Sequence, residues 1–241
     1  MARFIGLGLL IPLFGGNSFP RAPKVFLTLC LSYMVFININ QTYPVEVPIS
    51  YIVINLLSNF LVGIIIGIVM MLVLYSLQFA GEFIGFQMGF AMANIFNPDL
   101  EEEISIVSQL SYFFGIFIFF IFKGHIFMYT LLIESFEKVP VIFSFDSNIF
   151  MIISIKLAEV FVIGFQFAMP LVAIMIFIKL SLGIISRLIP QMNVFMVGLP
   201  LQVGVGFLIF MVVVLTWKDE FLKAFFEIYS WLKNFIPMIS K

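Results

Sequence analysis

The chain has 241 residues, 63% of them hydrophobic and 10% charged, and a formal net charge of −1. A soluble domain carries about 25% charged residues because its surface must stay wet, so a water-facing globule is excluded and most of the surface meets lipid or protein. Mean hydropathy is +1.19, and the near-neutral balance gives nucleic acid no electrostatic foothold.

Uncharged runs locate the membrane segments, since about 20 apolar residues span a bilayer core. The opening stretch, Phe4 to Phe14, holds Pro12 and is too short to cross alone. It ends in Gly15, Gly16, Asn17, Ser18, Phe19 and Pro20, without the small-x-small pattern of a cleaved signal, and reads as the stump of a first helix. Val25 to Val45 carries no charge, with an exit near Asn38. Val47 to Gly81 is uncharged over more than one perpendicular span needs. Ile104 to Phe122 is one clean span between Glu103 and Lys123, and Val160 to Ile178 another between Glu159 and Lys179. Leu188 to Trp217 is a last long run, interrupted at Pro190 and Pro200. Lipid cannot satisfy backbone polar groups, so these runs are predicted to be helices. The fold expected is all-α, a polytopic integral membrane protein with one membrane-embedded domain over residues 1–217. Beyond it, 218–241 repeats Phe221, Leu222, Phe225, Phe226, Ile228, Tyr229 and Leu232 at helical spacing between acids and lysines. That is an amphipathic helix for an interface or a partner.

Cys30 is the one cysteine and His125 the one histidine. An internal disulfide, a multi-thiolate metal site and a two-histidine metal motif are therefore excluded. Neither a Gly-x-Ser-x-Gly elbow nor a glycine-rich phosphate loop occurs, and no catalytic, cofactor or metal residue is expected. A secondary transporter or small-solute channel would also place broken helices and charges at mid-depth, but no internal repeat supports it.

Three stretches depart from a plain bundle. Gly63 and Gly67, and then Gly81, Gly85 and Gly89, recur every four residues, the latter beside Gln78, Glu82 and Gln87. Such a face admits close approach of another backbone. It suits a protein neighbour or a watery cavity, or ordinary packing within the chain. Asn97-Pro98 breaks the chain before Glu101, Glu102 and Glu103, whose charges suit a helix start. The preceding loop holds Phe90, Met92, Ile95 and Phe96, large apolar side chains that need something to pack on or could form a deformable seal. Finally, Pro190, Gly198 and Pro200 are expected to break a long helix around Arg187, Gln191 and Asn193. Arg187 either caps the preceding span at the water interface or belongs to a buried polar cluster, which at membrane depth is a functional site by default.

Three landmarks carry a resemblance. They are Gly85-Phe-Gln-Met-Gly-Phe-Ala-Met-Ala with Asn97-Pro98, then Ala168-Met-Pro-Leu-Val, then Leu182-Gly-Ile-Ile-Ser-Arg-Leu-Ile-Pro-Gln-Met-Asn-Val-Phe-Met-Val-Gly-Leu-Pro. In this order they resemble the FliR and T-protein family of type III secretion export-apparatus membrane proteins, over essentially the whole chain. That family usually has Asp-Pro at Asn97-Pro98 and a longer N-terminus. The resemblance implies tilted, broken helical hairpins that assemble with FliP-like and FliQ-like subunits. The assembly would be an export gate for unfolded flagellar proteins, in the bacterial cytoplasmic membrane at the flagellar basal body. It further implies a plug made by Phe90, Met92, Ile95, Phe96, Asn97 and Pro98. Arg187, Pro190, Gln191, Asn193, Phe195, Gly198 and Pro200 are expected to form an assembly or buried polar motif, its polar groups paired with partners or with the chain's own backbone.

Overall fold

The structure, a computed structural model, describes residues 2–8, 10, 21–38, 48–90, 105–139, 149–189, 191 and 194–239. Of these 94% are helical and none lies in a strand, as an all-α membrane protein requires. The helices are α1 (Ala2–Gly8), α2 (Arg21–Asn38), α3 (Ile49–Met88), α4 (Ile106–Ile121), α5 (Gly124–Lys138), α6 (Ile149–Leu188) and α7 (Val194–Phe235), with a final 3-10 turn at Ile236–Met238.

Three of these helices are long and apolar enough to cross a membrane: α3, α6 and α7. The bent pair α4 and α5 can supply a fourth crossing. At 40 residues, α3 and α6 each extend about 60 Å at 1.5 Å per residue, twice a hydrocarbon core of about 30 Å. Uncharged runs therefore mark only part of each helix. Glu159 and Lys179, expected to bracket a span, both lie inside α6.

The span expected over Ile104 to Phe122 is α4, which stops at Ile121, and the axis then turns by 67° into α5. Lys123 makes that corner in the left-handed region, at φ 57°. Conversely, α7 runs unbroken through Gly198 and Pro200. Pro200 lies inside α7, past its first turn, and removes the backbone donor that would meet the Met196 carbonyl, a loss that membrane helices absorb through neighbouring groups.

The chain divides into two compact units, one of Met1–Leu72, Phe119–Ala158 and Phe225–Lys241, the other of Val73–Ile118 and Glu159–Ala224. In the first, Gly6 and Gly63 let α1 lie directly on α3. A Cβ on Gly63 would overlap the carbonyl oxygen of Arg3, and one on Gly6 that of Phe60. Arg3 is fully buried at this crossing. Its Nε donates to Asn59 Oδ1 at 2.6 Å. Nη1 donates to the Ser135 carbonyl at 2.7 Å, and Nη2 to that of Val139 at 3.0 Å. The guanidinium thus sits at the C-terminus of α5, where the dipole favours a cation, and shares the Ser135 carbonyl with the Val139 N–H. The Phe136 ring covers it at 4.5 Å. On the far side Phe225, Ile228, Leu232, Phe235 and Ile239 are buried at helical spacing, and Phe127 of α5 meets the rings of Phe225, Phe226 and Tyr229. The apolar stripe of the C-terminal segment is thus packed inside its own chain, on a helix continuous with α7.

In the second unit, α3 is the axis. Leu74, Leu77, Ala80, Ile84 and Met88 are buried, and Phe79 and Phe83 pack edge-on against Phe161 and Phe165 of α6. Trp217 of α7 is buried among Phe114, Phe167 and Phe210. Its Nε1 donates to the Phe167 carbonyl at 3.1 Å. That carbonyl lies in the turn of α6 before Pro170, next to the Gln166 carbonyl that the proline, having no N–H, cannot bond.

Candidate functional site

The end of α3 gathers most of the polar and glycine signals. Gly81 faces Ser108 and Ser111 of α4, and Gly85 faces Ser105, so closely that a Cβ on either would overlap a serine hydroxyl. Ser108 Oγ donates to the Gln78 carbonyl at 3.0 Å, and the Ser105 hydroxyl accepts the Val107 N–H at 3.3 Å as an N-terminal cap of α4. Of the readings open for this face, the chain's own α4 is what fills it at Gly81 and Gly85.

Gly89 does something else. It has a φ of 96°, its N–H donates to the Phe86 carbonyl at 3.2 Å, and the Phe90 N–H donates to the Gly85 carbonyl at 3.1 Å. This pair of bonds closes a helix when the residue after its end turns left-handed. Gly89 therefore ends α3 and starts the loop. Phe90 is half-buried, with its ring edge-on to Phe207 of α7 at 5.9 Å. Beside the last turn of α3, Lys179 of α6 donates to Gln87 Oε1 at 2.6 Å. The remaining loop candidates, Met92, Ile95, Phe96, Asn97 and Pro98, lie outside the described residues.

The second candidate motif straddles the α6–α7 connection. Arg187 stands exposed in the last turn of α6, where a cation suits the helix dipole. Gln191 is exposed in a turn, Gly198 is buried, and Pro200 is exposed within α7. Phe195 lies in the first turn of α7, and its side chain, like Pro190 and Asn193, lies outside the described residues. Among the described residues no group of three or more His, Cys, Asp or Glu could hold a metal ion.

The profile of the family described as bacterial export proteins, family 1, matches residues 1–228. The chain belongs to that family. It is 31% identical over 238 residues to the flagellar biosynthetic protein FliR of Aquifex aeolicus strain VF5, covering 95% of this chain and 90% of that protein. It is 30% identical over 206 residues to FliR of Bacillus subtilis strain 168, covering 84% and 79%. It is also similar to the secretion system apparatus protein SsaT of Salmonella typhimurium, at 27% over 153 residues, covering 61% of this chain and 58% of that one. This bacterial export protein is thus a membrane component of a type III secretion export apparatus.

Two features escaped the sequence. Arg3 is an isolated basic residue near the start, and its partners Asn59, Ser135 and Val139 are far along the chain. Lys179 reads as a span boundary until its helix is seen to continue past it. Gln87, two residues before the glycine that ends α3, was the one available signal that a polar contact is made there.

Proposed function

We propose that this export protein is a subunit of the gate through which unfolded flagellar proteins leave the cytoplasm, built with FliP-like and FliQ-like subunits in the cytoplasmic membrane at the flagellar basal body. One observation carries the assembly reading. Within a chain of an export family, α6 and α7 present large apolar side chains outward, among them Phe177, Leu180, Ile184, Leu208, Met211 and Leu215. The same exposed surface carries Arg187 and Gln191. Lipid suits the apolar part but not a guanidinium and an amide, which want a protein partner or water.

The loop beginning at Gly89 is the gate's plug in this reading. Large apolar side chains close a pore by dewetting, and methionine with a loop backbone deforms at little cost when a chain arrives. Phe90 anchors the loop on α7, and Met92, Ile95 and Phe96 form the seal. Purification of the tagged chain in mild detergent, followed by native mass spectrometry, is expected to recover a defined complex with other small apolar proteins. A lone monomer or self-oligomer, with those proteins expressed, overturns the assembly reading. Deleting Phe90 to Phe96 is expected to make cells leaky to small solutes while the complex persists, and a tight assembled deletion overturns the plug. Alanine at Arg187, Gln191 and Asn193 together is expected to weaken the complex. Unchanged assembly and motility would remove these residues from the interface.

A further inference from the structure

We infer that the outer face of α3 at Tyr75, Glu82 and Phe86 is a second subunit contact, taking an apolar helix that brings one lysine or arginine to Glu82. The inference rests on the assembly reading and adds to it the chemistry of one partner.

Glu82 is the one charged residue of α3 and α4 together. It stands exposed, and among the described residues it makes no hydrogen bond or ion pair. Gln78, Phe79, Gly85 and Phe86 occupy the positions three and four residues to either side, so no cation of α3 can reach it. Lys179 approaches α3 from α6 but is engaged with Gln87 at 2.6 Å. At 3.6 residues per turn, Gln87 lies about 140° around the helix from Glu82. Elsewhere the chain pairs an acid where cations are at hand, as Glu134 does with Lys138 and Lys233 at 3.3 Å each.

Tyr75 and Phe86 are exposed as well, and both lie within about 40° of Glu82 around the helix. Gly81 and Gly85 hold α4 on one flank of this stripe, and Phe79 and Phe83 meet Phe161 and Phe165 of α6 on the other. The stripe therefore lies open between two helices of its own unit. Water is a poor occupant, since a wetted surface carries charges throughout and α3 and α4 have one. Lipid is a poor occupant too, because an unpaired carboxylate at membrane depth is costly. A single charge among exposed apolar side chains fits a protein face of the same kind, apolar with one cation placed opposite. An ammonium or guanidinium there neutralises Glu82 through a charge-assisted hydrogen bond, and such complementarity fixes partner and register. Tyr75 and Phe86 supply the ring area around it.

The test compares Glu82→Gln, Glu82→Asp and Glu82→Lys in cells that express the whole apparatus. The readouts are recovery of the complex in mild detergent, by native mass spectrometry, and the melting temperature of the purified chain. Glu82→Gln is expected to lower recovery several-fold at an unchanged melting temperature, because the carboxylate bonds to nothing in its own chain. Glu82→Asp keeps the charge and should retain most of the recovery. Glu82→Lys should abolish it, and one lysine-to-glutamate or arginine-to-glutamate change in a co-purifying subunit should restore it. Full recovery of Glu82→Gln beside a parent that assembles overturns this contact, assigns the face to lipid or water, and leaves the assembly reading standing. A parent that yields no complex overturns both. A melting loss in Glu82→Gln also overturns the contact, since it gives the carboxylate a role inside the chain. If no single reversal restores Glu82→Lys, the basic partner is overturned. Should Glu82→Lys fail to accumulate, Glu82→Gln against Glu82→Asp decides. Equal losses in the two would mean that shape rather than charge matters there, and would overturn the proposal.

Discussion

Helix α3 and the pair α6 and α7 are alike in length and apolar character, yet they face different surroundings. Within the most apolar stretch of α3, 72% is buried inside the chain, against 33% in α6 and 22% in α7. Hydropathy reports only that water is absent; burial reports what replaced it. Around α3 the replacement is the chain itself, brought close by Gly63, Gly81 and Gly85 and by the serines of α4. Around α6 and α7 it must be lipid or another subunit. One helix is thus an internal axis, and two turn large apolar faces away from their own chain.

The sharpest way to break that contrast is to remove what covers α3 at its N-terminal end. Arg3→Met deletes the buried donor to Asn59 Oδ1 and to the Val139 carbonyl, and one of the two donors to the Ser135 carbonyl, which keeps the Val139 N–H. Charged hydrogen bonds are worth about 1.5–3 kcal/mol each, and buried acceptors left unpaired add a penalty, so a loss of about 3–5 kcal/mol is expected for the set. Thermal denaturation in detergent with limited proteolysis should show a large fall in melting temperature and early cleavage near α1. A melting curve close to the parent would mean that α3 needs no cover there.

Gly81→Val comes next. The added side chain meets Ser108 and Ser111, and overpacking of this kind costs about 1–3 kcal/mol. If the valine variant melts like the parent, α4 is not tightly held on α3. A smaller effect is expected for Trp217→Phe, which keeps a ring among Phe114, Phe167 and Phe210 but deletes the Nε1 donor to the Phe167 carbonyl. The expected loss is about 1 kcal/mol, and the same melting assay reads it.

The long apolar helices were legible because lipid forbids charge over about 20 residues, a rule that acts locally along the sequence. Where the helices end was less legible. Lys179 and Glu159 looked like ends because a charge usually marks water, but the 2.6 Å bond to Gln87 lets Lys179 sit inside a helix. Pro200 looked like a break, yet a membrane helix can carry a proline when neighbouring groups take up the backbone group it frees. The charge of Lys123 marked where α4 ends, but the sharp corner there had no signal beyond the adjacent Gly124, since a lysine at φ 57° is held by its surroundings. Arg3 was illegible for a different reason: its acceptors lie 56 to 136 residues further along, and no local pattern encodes a contact of that range. For the candidate site, the glycine spacing was informative but mixed two functions. Gly81 and Gly85 serve close packing, whereas Gly89 serves a left-handed turn, and period alone cannot separate them.

The smallest effect on the chain itself should come from the helices that face outward, and it discriminates most finely. Phe177 on α6 is 70% exposed and Leu215 on α7 is 77% exposed. Alanine at both removes no contact on which the chain's own core depends, so its melting temperature should stay within the scatter of surface substitutions. Recovery of the native complex in mild detergent should nevertheless fall, because a subunit interface loses two large apolar anchors. A melting loss like that of Trp217→Phe would place these side chains in the chain's own core, and the contrast with α3 would collapse. Unchanged melting together with unchanged complex recovery would assign both positions to lipid. The subunit contact would then have to lie elsewhere on the exposed surface, around Arg187 and Gln191.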